Sequence, residues 1–280
     1  LKIRKGIWKG SQLWDLYTKA CTPFSWHEDA FKLAKKLKAN LFSTPFSERG
    51  VKLLEKHKVK LYKISSFEIT DLNLIQTIAK TKKPILISTG LANFKEINAA
   101  LKIIKKYHNK IIILYCVSGY PTPNSEANIK TLNLYKKKFK NNMIGLSDHT
   151  NNIHSSLAAT ALGVVAIEKH FKLNKKEKTV DSKFSITPEQ LQKLKNYSQN
   201  IYTTLGFEKK SLKKSEKNSL FFRRSIFSKR DIKKGEKFRK DNIICLRPKI
   251  GISSNDYFKI LNKKAKKNIK KNFPIFNSYF

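Results

Sequence analysis

The sequence predicts an α/β fold, a parallel β/α barrel with a small β-rich module after it, and three observations lead there. Five short apolar runs each end in a polar group or a histidine: Leu61 to Ser66, Ile85 to Ser88, Ile111 to Ser118, Met143 to His149 and Val164 to His170. Helical patterns such as Phe94 to Tyr107 and Ile153 to Leu162 lie between them. Beyond Leu220 the pattern changes to short strands and turns. In a parallel β/α barrel the chemistry collects at the carboxyl ends of the strands, so these run-ends are candidate parts of one site.

Taken in order, Leu1 to Asn40 reads as loop and helix, with Trp8, Trp14, Tyr17, Phe24 and Trp26 as apolar anchors. Leu41 to Thr44 is expected to be the first strand, which makes six strands up to His170. A closed barrel of this class has eight, and an open six-stranded remnant exposes two edges that invite aggregation. The expected architecture is therefore a (β/α)8 TIM barrel lacking its first two strands in this chain. About 60 to 70 residues upstream of Leu1 would close it, and the polypeptide alone is expected to be weakly active or inactive. Thr187-Pro188-Glu189, a capping residue followed by proline at the first helical position, starts a helix that runs to Leu205. Residues 1–205 are thus one incomplete barrel domain. Residues 206–220, rich in Lys and Ser, are a linker, and residues 221–280 are the β-rich module.

Composition narrows the class of partner. The chain of 280 residues has a formal charge of +39, from 59 basic and 20 acidic residues. That excess ordinarily suggests nucleic acid or an anionic membrane. Yet 52 of the basic residues are lysine and 7 arginine, with Asn, Ile and Phe also abundant, as codon drift in an AT-rich genome would produce. No run of arginine and aromatic residues marks a stacking groove. Solvated lysine faces are the better reading, with no nucleic acid and no membrane among the expected partners; the alternative of another class is an inactive basic relic that binds polyanions. Cys21, Cys116 and Cys245 fit no metal spacing and cannot all pair, which suits a reduced, cytoplasmic compartment. No stretch approaches the roughly 18 apolar residues of a membrane span.

Seven stretches carry a family resemblance: Ser43-Thr-Pro-Phe-Ser47, Tyr62-Lys-Ile-Ser-Ser-Phe-Glu68, Ser88-Thr-Gly90, Tyr120-Pro-Thr-Pro123, Gly145-Leu-Ser-Asp-His149, Glu168-Lys-His-Phe171 and Asp181-Ser-Lys-Phe-Ser185. In this order and spacing the chain resembles the sialic acid synthase family, and within it the pseudaminic acid synthase branch. Two stretches favour that branch: Leu13-Trp-Asp-Leu-Tyr17 with Thr22-Pro-Phe-Ser-Trp-His27, and Asp181 to Ser185. Phe222-Arg-Arg-Ser-Ile226 followed by Asp231-Ile-Lys-Lys-Gly235 is similar to the antifreeze-like (SAF) module that ends these enzymes. The resemblance implies condensation of phosphoenolpyruvate with the open-chain aldehyde of an N-acylated amino sugar, releasing phosphate and giving a nine-carbon 2-keto acid. For the pseudaminic branch the acceptor is a 2,4-diacetamido-2,4,6-trideoxy hexose. N-acetylneuraminate or legionaminate synthesis is the alternative within the family, and another phosphoenolpyruvate-dependent aldol-type synthase a more distant one.

That chemistry needs an anion cradle, a Lewis acid on the aldehyde oxygen, and water delivered to a cationic carbon. The resemblance assigns phosphoenolpyruvate to Lys63, Thr44, Ser66, Ser88, Ser118 and Ser147. One cation among short hydroxyl donors suits an anion, although a serine at a strand end also caps local backbone. It assigns a divalent metal, Mn2+ or Mg2+, to His149 and His170; the remaining histidines, His27, His57, His108 and His154, read as surface or packing residues. Two imidazoles leave coordination positions open for water and the aldehyde oxygen. Asp148 either orients His149 or caps the following helix. Glu68 is expected beside the reacting centre, stabilising the cationic intermediate or positioning water. The resemblance implies that Tyr120 and Asp181 face the sugar and that Arg224 reaches it from the partner subunit of a domain-swapped homodimer. The family's glutamate on its first strand and lysine on its second are absent from this chain.

Overall fold

A computed structural model describes residues 1–280 as two compact units, 1–206 and 207–280. The first unit carries a five-stranded, all-parallel sheet: β1 (Tyr62–Ile64), β2 (Ile85–Ser88), β3 (Ile111–Cys116), β4 (Met143–Asp148) and β5 (Ile167–Lys169), paired in sequence order. Helices α1 (Leu13–Ala20), α2 (Phe24–Lys36) and α3 (Glu48–Lys56) precede β1. Then α4 (Leu72–Ala79), α5 (Phe94–Lys105), α6 (Thr131–Lys138) and α7 (His154–Ala161) join successive strands, and α8 (Pro188–Leu205) follows β5. This is a curled half-barrel of β/α units. Local chemistry fixes the helix starts: Asp71 accepts from the Leu74 amide, and Asn93 with Glu96 and Thr187 with Gln190 form capping boxes.

Register sorts the strand residues onto two faces, because successive side chains of a strand alternate and parallel partners point the same way. Tyr62, Ile64, Ile85, Ile87, Ile111, Ile113, Tyr115, Ile144 and Leu146 form one set, and all are buried in a single core with Leu74, Ile75 and Ile78 of α4 and Ile97, Leu101 and Ile104 of α5. Each buried side chain of this size is worth about 1.5–3 kcal/mol. The other set is Lys63, Leu86, Ser88, Ile112, Leu114, Cys116, Gly145, Ser147 and Glu168. It forms the concave face, apolar toward the amino ends of the strands and polar toward their carboxyl ends.

Two expectations are corrected. Leu41 to Thr44 makes no backbone ladder bond, so the sheet has five strands and not six. A strand exists by its pairing, and no neighbour pairs with this segment. Trp14, Tyr17, Phe24 and Trp26 are not anchors: they are 81%, 60%, 45% and 65% exposed on α1 and α2. Trp8 alone of that set packs inward, its Nε1 donating to the Val180 carbonyl at 3.1 Å. The helix expected from Thr187 is present as α8, and no helix is long and apolar enough to cross a membrane.

The second unit pairs β6 (Ser225–Ser228) antiparallel with β7 (Ile243–Leu246) and adds one short helix, α9 (Tyr257–Ile260). Isolated bridges such as Ile232 to Ile269 close it around Ile226, Phe238, Ile243, Ile260 and Ile275.

Candidate functional site

The polar end of the concave face gathers residues from all five strands. Lys63, at 5% exposure, extends from β1, its Nζ 3.4 Å from Glu168 Oε2 and 3.3 Å from the Ile64 carbonyl. Ser147 Oγ of β4 donates to Glu168 Oε1 at 2.7 Å. Beside this set the Gly90 amide donates to Ser66 Oγ at 3.1 Å, and Ser66 Oγ donates to Cys116 Sγ at 3.5 Å. Cys116 Sγ also lies 3.8 Å from Ser118 Oγ and 3.7 Å from His149 Nδ1. A Cβ at position 90 would sit 2.0 Å from Ser118 Oγ and 2.9 Å from Ser66 Oγ, so glycine lets these hydroxyls converge. Ser88 Oγ is buried on the same face with no hydrogen-bond partner. An unpaired buried hydroxyl is expensive, and at a binding site a ligand supplies the missing bond.

Two imidazoles stand above this cradle, with ring centroids 5.2 Å apart. His149 Nδ1 is 3.0 Å from the Val117 carbonyl, which can only accept, so Nδ1 carries the proton and Nε2 the lone pair. His170 Nδ1 points at Asp181 Oδ2 across 3.2 Å, which sets the same tautomer. Both rings therefore present a basic Nε2, the arrangement in which histidine ligates a metal while its other nitrogen is held by an acceptor. No third His, Cys, Asp or Glu completes a protein-only set, so the residues fit a cation with two imidazole ligands and its other positions open. Burial opposes charge on both His149 and Cys116. Their mutual contact outweighs it, holding the imidazole above its ordinary pKa and the thiol below its own.

An aromatic wall backs the histidines. Phe184, fully buried, lies 4.7 Å from His170 and 5.1 Å from Tyr120, and Tyr120 lies 4.4 Å from His149. Burial, reinforced by the negative groups Cys116, Asp181 and Glu168, pushes the Tyr120 phenol up to about 12, so it stays a neutral donor at physiological pH. Trp8 covers Tyr120 at 5.7 Å and Phe184 at 6.5 Å.

The structure thus brings together Lys63, Ser66, Ser88, Ser118, Tyr120, Ser147, His149, His170 and Asp181. Two expected members make no side-chain hydrogen bond with this set, and a third lies in the other unit. Thr44 lies on the unpaired segment and makes no side-chain hydrogen bond with the cluster. The Glu68 carboxylate accepts from Ser65 Oγ within its own turn. Arg224 belongs to the second unit. Asp148 neither orients His149 nor caps α7, whose N-cap is Ile153. As the alternate residue of β4 it points to the opposite face, pairs with Lys169 at 3.2 Å, and accepts from Ser156 Oγ and the Thr150 amide. Glu168, Cys116 and Phe184 are the members that sequence reasoning left without a role. Glu168 was legible by parity, since it stands on β5 two residues before His170, which follows the strand's end.

Comparison with known proteins supplies the family. Residues 2–210 match the NeuB family and residues 223–279 match the SAF domain. Pseudaminic acid synthase of Helicobacter pylori is 39% identical over 279 residues, spanning 98% of this chain and 81% of that protein. N,N'-diacetyllegionaminic acid synthase of Campylobacter jejuni is 42% identical over 248 residues, 87% of this chain and 74% of that one. The crystal structure of the N-acetylneuraminic acid synthetase of Leptospira borgpetersenii superposes with a TM-score of 0.70 at 30% identity, covering 74% of this chain and 72% of that one.

Proposed function

The chain belongs to the NeuB family and carries a SAF domain, and from that premise we propose that it condenses phosphoenolpyruvate with a 2,4-diacetamido-2,4,6-trideoxy hexose to give pseudaminic acid and phosphate. The observation that carries the reading is the convergence of Lys63, the unpaired Ser88 hydroxyl and the paired Nε2 atoms of His149 and His170 on one concave rim. Lys63 and the hydroxyls of Ser66, Ser88, Ser118 and Ser147 hold the phosphate and carboxylate, one ammonium among short donors in a low-dielectric pocket.

A divalent cation on His149 and His170 would supply Lewis-acid polarisation of the aldehyde oxygen. Asp181 and the Val117 carbonyl keep both imidazoles in the ligating tautomer. Tyr120, protonated throughout the neutral range, donates to the acceptor sugar, and the wall of Phe184 and Trp8 keeps water from that side. As the enol carbon of phosphoenolpyruvate attacks the aldehyde, positive charge develops at C2. Glu168, the carboxylate nearest the cradle, stabilises that charge. Loss of phosphate then leaves the 2-keto acid.

The same proposal takes residues 1–205 as the synthase domain, 206–220 as a linker and 221–280 as the SAF domain. It places the chain in the cytoplasm, supported by three free cysteines, and as a swapped homodimer in which Arg224 serves the partner's acceptor, supported by the family resemblance. The identity to the legionaminic acid synthase keeps that product as the second reading. Supplying each amino sugar with phosphoenolpyruvate and Mn2+ and measuring phosphate release separates the two. The proposal expects release with the 2,4-diacetamido-2,4,6-trideoxy hexose of the pseudaminic series in preference to the others. Equal release with all of them, or preference for the legionaminic precursor, overturns it.

A further inference from the structure

Arginine is scarce in this chain, 7 residues against 52 lysines, yet three of the seven line one cleft of the second unit. Arg223, Arg224 and Arg247 surround a cavity of about 470 Å³ together with Phe222, Ser253, Ser254 and Asn255. The strand register shows how close two of them come. Ser225 of β6 and Leu246 of β7 form the last pair of the ladder, and Arg224 and Arg247 are the residues directly beyond it, one on each segment. Like charges on neighbouring segments are destabilising.

Nothing in the protein neutralises them. Of the seven arginines only Arg230 forms ion pairs, with Glu236 and Asp241. The one carboxylate on the adjoining turn, Asp256, is engaged by Lys259 at 2.7 Å. Unpaired guanidinium groups lining one cleft are a local conflict of the kind that folded proteins keep at binding sites. Lysine would serve for mere positive charge. A planar fork that donates two parallel N–H bonds serves an oxyanion.

We infer that Arg224 and Arg247, with Arg223 at the rim and Ser253, Ser254 and Asn255 as neutral donors, form an anion-binding cleft for a carboxylate or phosphate group. The inference goes beyond the proposed reaction, which gives Arg224 an uncharged sugar and Arg247 no role, and it stands on residues of the second unit alone.

The test uses the full chain with arginine side chains labelled at Nε, whose seven Nε–H signals are assigned with single Arg→Lys variants. Inorganic phosphate and acetate are titrated separately, so that the arms distinguish a phosphate-bearing from a carboxylate-bearing source. The expected result is saturable shifts of the Arg224 and Arg247 signals with one common dissociation constant in at least one arm, while Arg4 and Arg49 drift without saturation. R247Q should weaken binding read at Arg224 at least tenfold. R247K, which keeps charge and loses the fork, should weaken it several-fold and serves in place of R247Q if that variant does not fold. Shifts at Arg224 and Arg247 that do not saturate in either arm, or a dissociation constant within twofold of the parent's in both variants, overturn the inference. Lys63→Met, which removes the cation of the first unit's cradle, should leave the dissociation constant read at Arg224 and Arg247 unchanged, so failure here and failure of the proposed reaction are read separately.

Discussion

Two lysine–carboxylate pairs stand back to back near the carboxyl ends of the sheet, and they differ in almost every respect but chemistry. On the convex side Lys169 and Asp148 are 3% and 2% exposed, 3.2 Å apart, and Asp148 also accepts from Ser156 and the Thr150 amide. On the concave side Lys63 meets Glu168 at 3.4 Å, with Glu168 one-third exposed and an unpaired Ser88 hydroxyl on the same face. The first pair is closed, with its bonding capacity used inside the protein. The second is loosely made and open to a ligand. Burial of a charge is tolerable when its partners are complete, and an incomplete set in a concavity marks a place where binding completes it.

Breaking the closed pair should have the largest effect on folding. Asp148→Ala leaves the Lys169 ammonium buried without its counter-charge, and a loss of about 3–5 kcal/mol in chemical denaturation is expected. Next in size is Asp181→Asn, which removes the carboxylate that holds His170 in its ligating tautomer. Cation affinity measured by calorimetry should fall about 10- to 100-fold, with the unfolding midpoint unchanged. Gly90→Ala forces a methyl against Ser118 and Ser66, and about 1–3 kcal/mol of destabilisation should follow. The smallest change in stability belongs to Ser88→Ala. Because its hydroxyl has no partner to lose, the denaturation midpoint should move by no more than about 0.5 kcal/mol while affinity for phosphoenolpyruvate declines. A Ser88→Ala loss as large as that of Asp148→Ala would erase the distinction between the two sides.

The alternation that separates these pairs explains what the sequence disclosed. Apolar runs ending in Ser66, Ser88, Ser118, His149 and His170 marked the strands and their carboxyl ends, because a sheet covered by helices must be written in isoleucine and leucine. The period of two also implied that Asp148 and His149 face opposite ways, which rules out Asp148 as a partner of His149. Leu41 to Thr44 was misleading for a different reason: its composition suits a strand, but a strand needs a neighbour to bond. The exposed Trp14 and Trp26 show the same limit, since amphipathic pattern records the capacity to be buried and not the surface that buries it. Cys116 carried no local signal, and Trp8 read as an anchor without its partner. Their roles arise from contacts across 33 residues to His149 and across 172 to Val180, which no spacing along the chain encodes.

The central claim is that the concave lysine and its hydroxyls form a site for phosphoenolpyruvate, and direct binding to the chain tests it without reference to turnover. Calorimetric titration of the parent and of Lys63→Met should show saturable binding in the parent and at least a tenfold weaker one in the variant, with matching denaturation curves. Binding that is absent from the parent, or equal in the two proteins, would contradict the account.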